Sequence, residues 1–307
     1  MHLIVVNHDI GLEVLGQVFD FTRKWEHDAV AFPILCWYFR LLRTLMICSL
    51  AAISCFGTLW ICTPVIFYAF TGKMIVAAEL YLPLVDYRKH PGFEMHLVFH
   101  AFCIFFSIIG IASVTFQILT LFVSLCSQID ILSERVTALA EYIRNNHEKW
   151  KDNKSDEILV KTLRDIYEDH QSTIEFLDNL EDLLSYQQMT DHMFFGFQIC
   201  LALFIVMQEV WIPGYYIVIS GTFIVFTIDA LGTIIDVKLE KFSAKTYDVP
   251  WYLMTVKDQK NFCFFLAHTQ SCDRLTLYGR LPLNLDTFVR FYKGIYSYLM
   301  ILREVEN

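Results

Sequence analysis

The run "TLMICSLAAISCFGTLWICTPVIFYAF", residues 44–70, contains no Asp, Glu, Lys, Arg or His in 27 positions. A bilayer core is crossed by about 20 such residues in a helix. Water is absent there, so every backbone N–H and C=O must be satisfied inside the segment. That requirement fixes the structural vocabulary of the chain: long helices crossing a membrane. Four more segments respond to a window of about 19 residues. They are 97–127, 193–208, 214–235 with the single acid Asp229, and 283–302. The composition points the same way. The chain is 55% hydrophobic and 19% charged, with 27 Phe but only 12 Gly and 7 Pro, against about 45–50% and 25% for soluble domains. The expected fold class is therefore all-α, a multi-pass transmembrane helical bundle.

Lys and Arg outside the spans give an orientation. Residues 1–43 hold four, 128–192 seven and 236–282 seven, and all three segments fall on one side of a five-span chain. The other side has Lys73, Arg88, Lys89 and Arg303. The N-terminus is expected in the cytoplasm and the C-terminus outside. This divides the chain into a cytoplasmic segment 1–43 and two spans in 44–127 around an outer loop at 71–96. Cytoplasmic helical extensions at 128–192, two spans in 193–235, a cytoplasmic helix and anchor region at 236–282 and a last helix at 283–307 follow. The extensions are helical by pattern. Ile129, Leu132, Val136, Leu139 and Ile143 recur at steps of three and four, and so do Leu159, Leu163, Ile166, His170, Ile174, Leu177, Leu180 and Leu184, giving each helix one apolar stripe. A further helix is expected in 251–270, with its Phe-rich end packed on a neighbour.

Several function classes fall away. The net charge of −9 does not suit a nucleic-acid partner. Walker A, GxSxG, HExxH and GxGxxG patterns are absent, so neither an enzyme nor a cofactor is expected. The nine cysteines lack a CxxC pair, and most sit in apolar runs, where a thiol behaves as a small hydrophobe. His96, His100 and Cys103 share one helical face at a spacing compatible with zinc. No further ligand lies near, so the preferred reading is an interfacial histidine pair and no metal. Asp229 is read as hydrogen-bonding a neighbouring helix near the cytoplasmic boundary rather than as an intramembrane functional acid. Asn153-Lys154-Ser155 is a glycosylation sequon that the orientation places in the cytoplasm, where it stays unmodified.

The last helix raises its own question. Arg290 and Lys293 stand in its first turns, and barely four apolar turns follow. Such a helix is a poor partner for lipid, although the two long stems can snorkel to the boundary. It becomes tenable if other helices and a water-filled axis surround it. A ring of Ile or Val could then gate by dewetting, and enclosing an axis requires several subunits.

The tail "PLNLDTFVRFYKGIYSYLMIL" resembles the closing signature of insect odorant receptors. The matching positions are Pro282, Leu283, Thr287, Phe288, Lys293, Tyr296, Ser297, Tyr298 and Leu302. More loosely, "YLPLVDYRKHPGFEMHLVFHAF" resembles that family's second outer loop entering its fourth helix, "EDHQSTIEFLDNLEDLLSY" its cytoplasmic helix around a characteristic His, and Trp251 a Trp after its sixth helix. The likeness runs from about residue 44 to the end. Gustatory receptors close on different pairs, and the DRY and NPxxY motifs of class A G-protein-coupled receptors are absent. The resemblance implies a seven-helix architecture of which five spans are present, with two helices expected to be missing before residue 44, as in a truncated gene model, an isoform or an expressed fragment.

It further implies an odorant receptor subunit in the plasma membrane of a sensory neuron dendrite. Such a subunit binds a small volatile ligand and gates a non-selective cation channel, as the tuning partner of an odorant co-receptor in a heterotetramer. Outer halves of the first, second and fourth spans would form the pocket, which points to Phe56, Trp60, Tyr68, Phe99, Phe102, Phe106, Tyr216 and Ser220. Tyr298, Ile301, Glu304 and Val305 would line the pore and its gate. A gustatory-type receptor channel and a secondary transporter are the alternatives, the latter disfavoured because Gly- or Pro-broken helices do not recur in two halves. A non-conducting membrane protein is a third.

Overall fold

The computed structural model describes residues 2–77, 80–83, 85–146, 157–208, 211–270 and 274–306, with the backbone alone at 2–10 and 305–306. The Asn153 sequon lies outside the described residues. Among the described residues, seven helices run in chain order: α1 (His2–Trp25), α2 (Ala31–Thr71), α3 (Gly92–Asn146), α4 (Glu157–Gln208), α5 (Ile212–Tyr247), α6 (Val256–Gln270) and α7 (Leu285–Glu306). A 3-10 turn, Trp251–Leu253, precedes α6. A two-stranded antiparallel ribbon, β1 (Thr276–Leu277) and β2 (Leu281–Pro282), precedes α7. Among the described residues, four helices are long and apolar enough to cross a membrane: α2, α3, α4 and the one beginning at Ile212. The segment expected as a fifth span is the helix α7, whose charges keep it outside that set of four.

The helices are longer than the apolar runs that announced them. The first span was expected to begin at residue 44, but α2 starts at Ala31. Asp28 explains the difference, because its Oδ1 accepts the N–H groups of Val30 (2.8 Å) and Ala31 (2.9 Å), the usual work of a helix-capping carboxylate. Pro33 sits in the first turn, where its missing N–H costs nothing. Likewise α3 continues unbroken for 55 residues, far beyond the 20 or so needed to span.

The chain forms two compact units. The first comprises residues 1–41, 121–189 and 229–287. It is built like a soluble helical domain. Ile129, Leu132, Val136, Leu139 and Ile143 of α3 are buried, as are Leu159, Ile166, His170, Leu177, Leu180 and Leu184 of α4. The stripes read from the sequence thus face a core, each large apolar side chain contributing about 1.5–3 kcal/mol. Phe262 and Phe265 of α6 join the same core, with Phe265 5.3 Å from the ring of His170 and Phe242 stacked on that ring at 5.6 Å. Ion pairs lace the unit. Arg135 and Lys24 both reach Asp169 and both stand over the Trp25 ring. Lys238 Nζ lies 2.6 and 2.7 Å from the two oxygens of Asp130, which also accepts the Tyr38 hydroxyl at 2.5 Å.

The second unit comprises residues 42–120, 190–228 and 288–307, and it inverts that arrangement. Its large apolar side chains point outward: Ile66, Phe70, Phe102, Phe105, Phe106 and Phe197 are all more than half exposed. No Asp, Glu, Lys or Arg occurs from 44 to 72 or from 95 to 129. An apolar surface of this extent on a stable chain marks contact with lipid, and the protein is a multi-pass membrane protein.

Candidate functional site

A pocket of about 430 Å³ opens in the second unit. Ile53, Phe56, Gly57 and Trp60 of α2 line it, with His100, Cys103, Ile104, Ser107, Ile108 and Ile111 of α3. Phe194, Phe195 and Gln198 of α4 and Tyr216, Ile217, Ser220 and Ile224 of α5 complete the wall. The walls are mostly aliphatic and aromatic, as small-molecule sites usually are. Of the residues proposed from the sequence, Phe56, Trp60, Tyr216 and Ser220 stand on this wall. Four others do not. Phe102 and Phe106 are 60% and 67% exposed on the outside of α3, Phe99 packs on His100, and Tyr68 stacks near Phe93 with its hydroxyl 3.3 Å from His90 Nε2.

Hydrogen bonds fix the polar groups around the pocket. The Trp60 indole N–H donates to the Ala77 carbonyl at 2.6 Å. Ser107 Oγ donates to Cys103 O at 2.9 Å, and Ser220 Oγ to Tyr216 O at 2.7 Å. The hydroxyls of Thr63 and Tyr216 lie 3.2 Å apart. Both α3 histidines are buried and tie the preceding loop to the helix. His96 Nδ1 lies 2.8 Å from Gly92 O, while its Nε2 accepts the Leu82 N–H at 3.0 Å. His100 Nε2 lies 2.8 Å from Leu80 O. A carbonyl cannot donate, so these contacts set the tautomers. Both nitrogens of His96 are occupied by backbone, which leaves it no lone pair for a metal. The interfacial pair expected to end a helix near water is instead a buried brace.

The second candidate feature is α7. Asn284 Oδ1 accepts the Thr287 N–H at 3.1 Å, and Thr287 Oγ1 donates to Pro282 O at 2.6 Å. The Leu285 N–H donates to Thr233 Oγ1 at 2.8 Å, and the Leu283 N–H to Leu275 O at 2.9 Å. These bonds hold the start of α7 to α5 and to the ribbon. Gly232 permits the approach: a Cβ there would lie 1.9 Å from Leu283 O. Neither Gly232 nor Thr233 was singled out from the sequence, and a glycine inside an apolar span is the signal that could have found them. From Phe288 onward α7 has two faces. Phe291, Tyr292, Ile295 and Leu302 pack with Ile199, Cys200, Phe195 and Val218, and the Tyr292 hydroxyl donates to Thr222 Oγ1 at 2.7 Å. The other face, with Lys293, Gly294, Ser297, Tyr298, Ile301 and Glu304, is uncovered. Tyr298, Ile301 and Glu304 of the sequence-derived gate thus share the open side. The Val305 side chain lies outside the described residues.

In the first unit, burial is the main reason that the His170 imidazole is pushed down to about 4, with the positive charge of a protonated His268 adding to the effect. Asp229 is fully buried, and its backbone carbonyl accepts Thr233 Oγ1 at 2.9 Å. Among the described residues, no group of three His, Cys, Asp or Glu converges as a metal site would.

Helices long and apolar enough to cross a membrane, packed around an apolar pocket, define a multi-pass helical membrane protein with room for a small molecule. Comparison with known proteins makes this specific. The family model described as 7tm Odorant receptor matches residues 12–296, and the chain belongs to that family, one of receptors rather than enzymes. The match begins well before residue 44, so α1 and the start of α2 belong to the likeness too. Odorant receptor 10 of Aedes albopictus is 24% identical over 279 residues, covering 86% of this chain and 68% of that protein. Two solved structures share the fold at 14% identity. The olfactory receptor OR5 of Machilis hrabei in complex with eugenol matches with a TM-score of 0.67, covering 89% of this chain and 69% of that one. A second structure of Machilis hrabei OR5 matches with a TM-score of 0.60, covering 99% of this chain and 80% of that one.

Proposed function

We propose that this chain is the odorant-binding, tuning subunit of a ligand-gated, non-selective cation channel assembled with a co-receptor. The observation that carries the reading is the apolar pocket of about 430 Å³ walled by α2, α3, α4 and α5. It suits a small volatile molecule, and OR5 of Machilis hrabei, which shares the fold, is described in complex with one, eugenol. Its wall is almost free of charge, so binding draws on apolar burial with a few orienting hydrogen bonds.

The uncovered face of α7 supports the conducting part. Lys293, Ser297 and Glu304 on that face are costly against acyl chains, and water or protein is the natural neighbour. Several copies around an axis would place Ile301 where a dewetting constriction can form, with Tyr298 and Glu304 beside it. The basic residues before α2, in 128–192 and in 236–282 favour a plasma-membrane orientation with a cytoplasmic N-terminus and an extracellular C-terminus. The heterotetramer and the neuronal dendrite are part of the same proposal.

Expressing the chain with a co-receptor in a cell line and recording whole-cell current during pulses of a volatile panel tests the reading. The expected result is an inward cation current for some members of the panel that neither chain gives alone. Absence of current for every volatile, with both chains at the surface, refutes it.

A further inference from the structure

The pocket wall holds one strong hydrogen-bond donor that the protein itself does not use. Every other is committed to a partner. Trp60 Nε1 donates to Ala77 O, Ser107 Oγ to Cys103 O, Ser220 Oγ to Tyr216 O, and His100 Nε2 to Leu80 O. Thr63 Oγ1 donates to Leu59 O at 2.8 Å, so the proton in its 3.2 Å contact with the Tyr216 hydroxyl is the tyrosine's. The exception is Gln198 of α4. It is half-buried, and among the described residues its amide has no hydrogen-bond partner. Neither polar atom of that amide is sealed within the protein, in contrast to His100 Nδ1. The helix gives its direction. Side chains on a helix tilt toward the N-terminus, so the Gln198 stem lies over the turn of Phe194 and Phe195, which line the same wall. Its neighbours face elsewhere: Phe197 is exposed, while Ile199 and Cys200 are buried with Ile295 of α7. Residues 193–208 carry no charge, and an amide turned to acyl chains without a partner is costly.

We propose that the pocket selects small apolar molecules carrying a carbonyl, a ketone or an ester, whose oxygen accepts from Gln198 Nε2. This rests on the pocket being the odorant site. It assigns Gln198 as a specificity-determining residue. A hydroxyl can pair with lone pairs at several points of the wall, those of Ser107 and Ser220 among them. A carbonyl only accepts, and its donor is at Gln198. The oxygen is therefore held in one place while the apolar remainder lies along the aliphatic and aromatic walls. A ligand of the same shape without the oxygen strands the amide, and a site with a polar group left unpaired in this way discriminates more sharply than an apolar wall can.

The test uses a matched pair, 2-heptanone and 2-methyl-1-heptene, in which a methylene replaces the carbonyl oxygen. The full chain is purified in nanodiscs, and affinity for each tritiated compound is measured by scintillation proximity against empty nanodiscs. The wild type is expected to bind the ketone at least as tightly as the alkene, even though the alkene is the more apolar molecule. In Gln198→Met, close in shape but without the amide, the ketone should bind about tenfold more weakly and the alkene no more weakly than before. Weaker binding of the ketone than of the alkene by the wild type overturns the proposal, whether or not the variant folds. Ketone affinity unchanged in Gln198→Met overturns the assignment to Gln198. If the variant loses both ligands, the wild-type comparison decides. Binding of both ligands that is unchanged by Ser220→Phe, which fills the pocket, overturns the pocket reading itself, and so does failure of both to bind the wild type.

Discussion

Replacing Gly232 by alanine tests how the start of α7 is held. The new Cβ would lie 1.9 Å from Leu283 O and 2.9 Å from Leu283 C. Both atoms are backbone, so no side chain can swing aside, and the segment at Leu283, just after β2, must retreat by more than an ångström. Two hydrogen bonds flank the contact, Leu283 N–H to Leu275 O at 2.9 Å and Leu285 N–H to Thr233 Oγ1 at 2.8 Å. Losing both, with their buried partners left unsatisfied, costs about 3–5 kcal/mol together with the overpacking. At roughly 2–4 °C per kcal/mol for a chain of this size, the melting temperature in detergent, followed by tryptophan fluorescence, should fall by about 10 °C. Gly110→Ala is the control. Nothing lies within 4 Å of a Cβ there, and alanine inside a helix gains about 0.5–1 kcal/mol over glycine. A Gly232→Ala protein that melts within about 2 °C of the wild type would refute the reasoning.

Two further predictions follow from particular groups. His170, held near 4 by burial, lies below its unfolded value of about 6.5. The unfolded chain therefore takes up a proton that the folded one refuses, and stability present above about pH 6.5 is lost as pH falls toward 4. The loss approaches about 3 kcal/mol. Melting curves across that window should slope downward, and His170→Phe should flatten the slope; an unchanged slope contradicts the assignment. On α7, Ile301→Cys lies on the uncovered face and Leu299→Cys on the packed one. A charged thiol reagent should block odorant-evoked current in the first and spare the second, measured against wild type because the chain has free cysteines of its own. Equal sensitivity at the two positions would argue against the pore-facing side chosen here.

The parts legible in the sequence are those where polarity alternates with a clear period. The α3 and α4 stripes of the first unit were readable because charges fill the positions between Ile129 and Ile143 and between Leu159 and Leu184, which fixes the phase of each helix. Within a span the phase is invisible. Phe99, Phe102 and Phe106 were as plausible as Ile104 or Ile108, since the whole run is apolar and lipid accepts either face. Hence four of the eight proposed pocket residues stand on the wall and four do not. His100 was noticed only as a zinc candidate, and its contact with Leu80 depends on a loop conformation that no spacing reveals. The break in apolarity at Arg290 and Lys293 marked α7 as unsuited to lipid, but its anchorage through Gly232 and Thr233 comes from residues some 50 positions away in sequence.

The central claim is that odorants act from the pocket between α2, α3, α4 and α5. The most direct measurement is the half-maximal odorant concentration for current in Ser220→Phe, compared with wild type and with Phe106→Ala at matched surface expression. Filling the wall at Ser220 should raise that concentration at least about tenfold, because several CH₂-equivalents of ligand burial, at about 0.8 kcal/mol each, are displaced. Phe106→Ala, on the exposed side of α3, should leave it nearly unchanged. The reverse pattern, a normal response in Ser220→Phe and a shifted one in Phe106→Ala, would contradict the account.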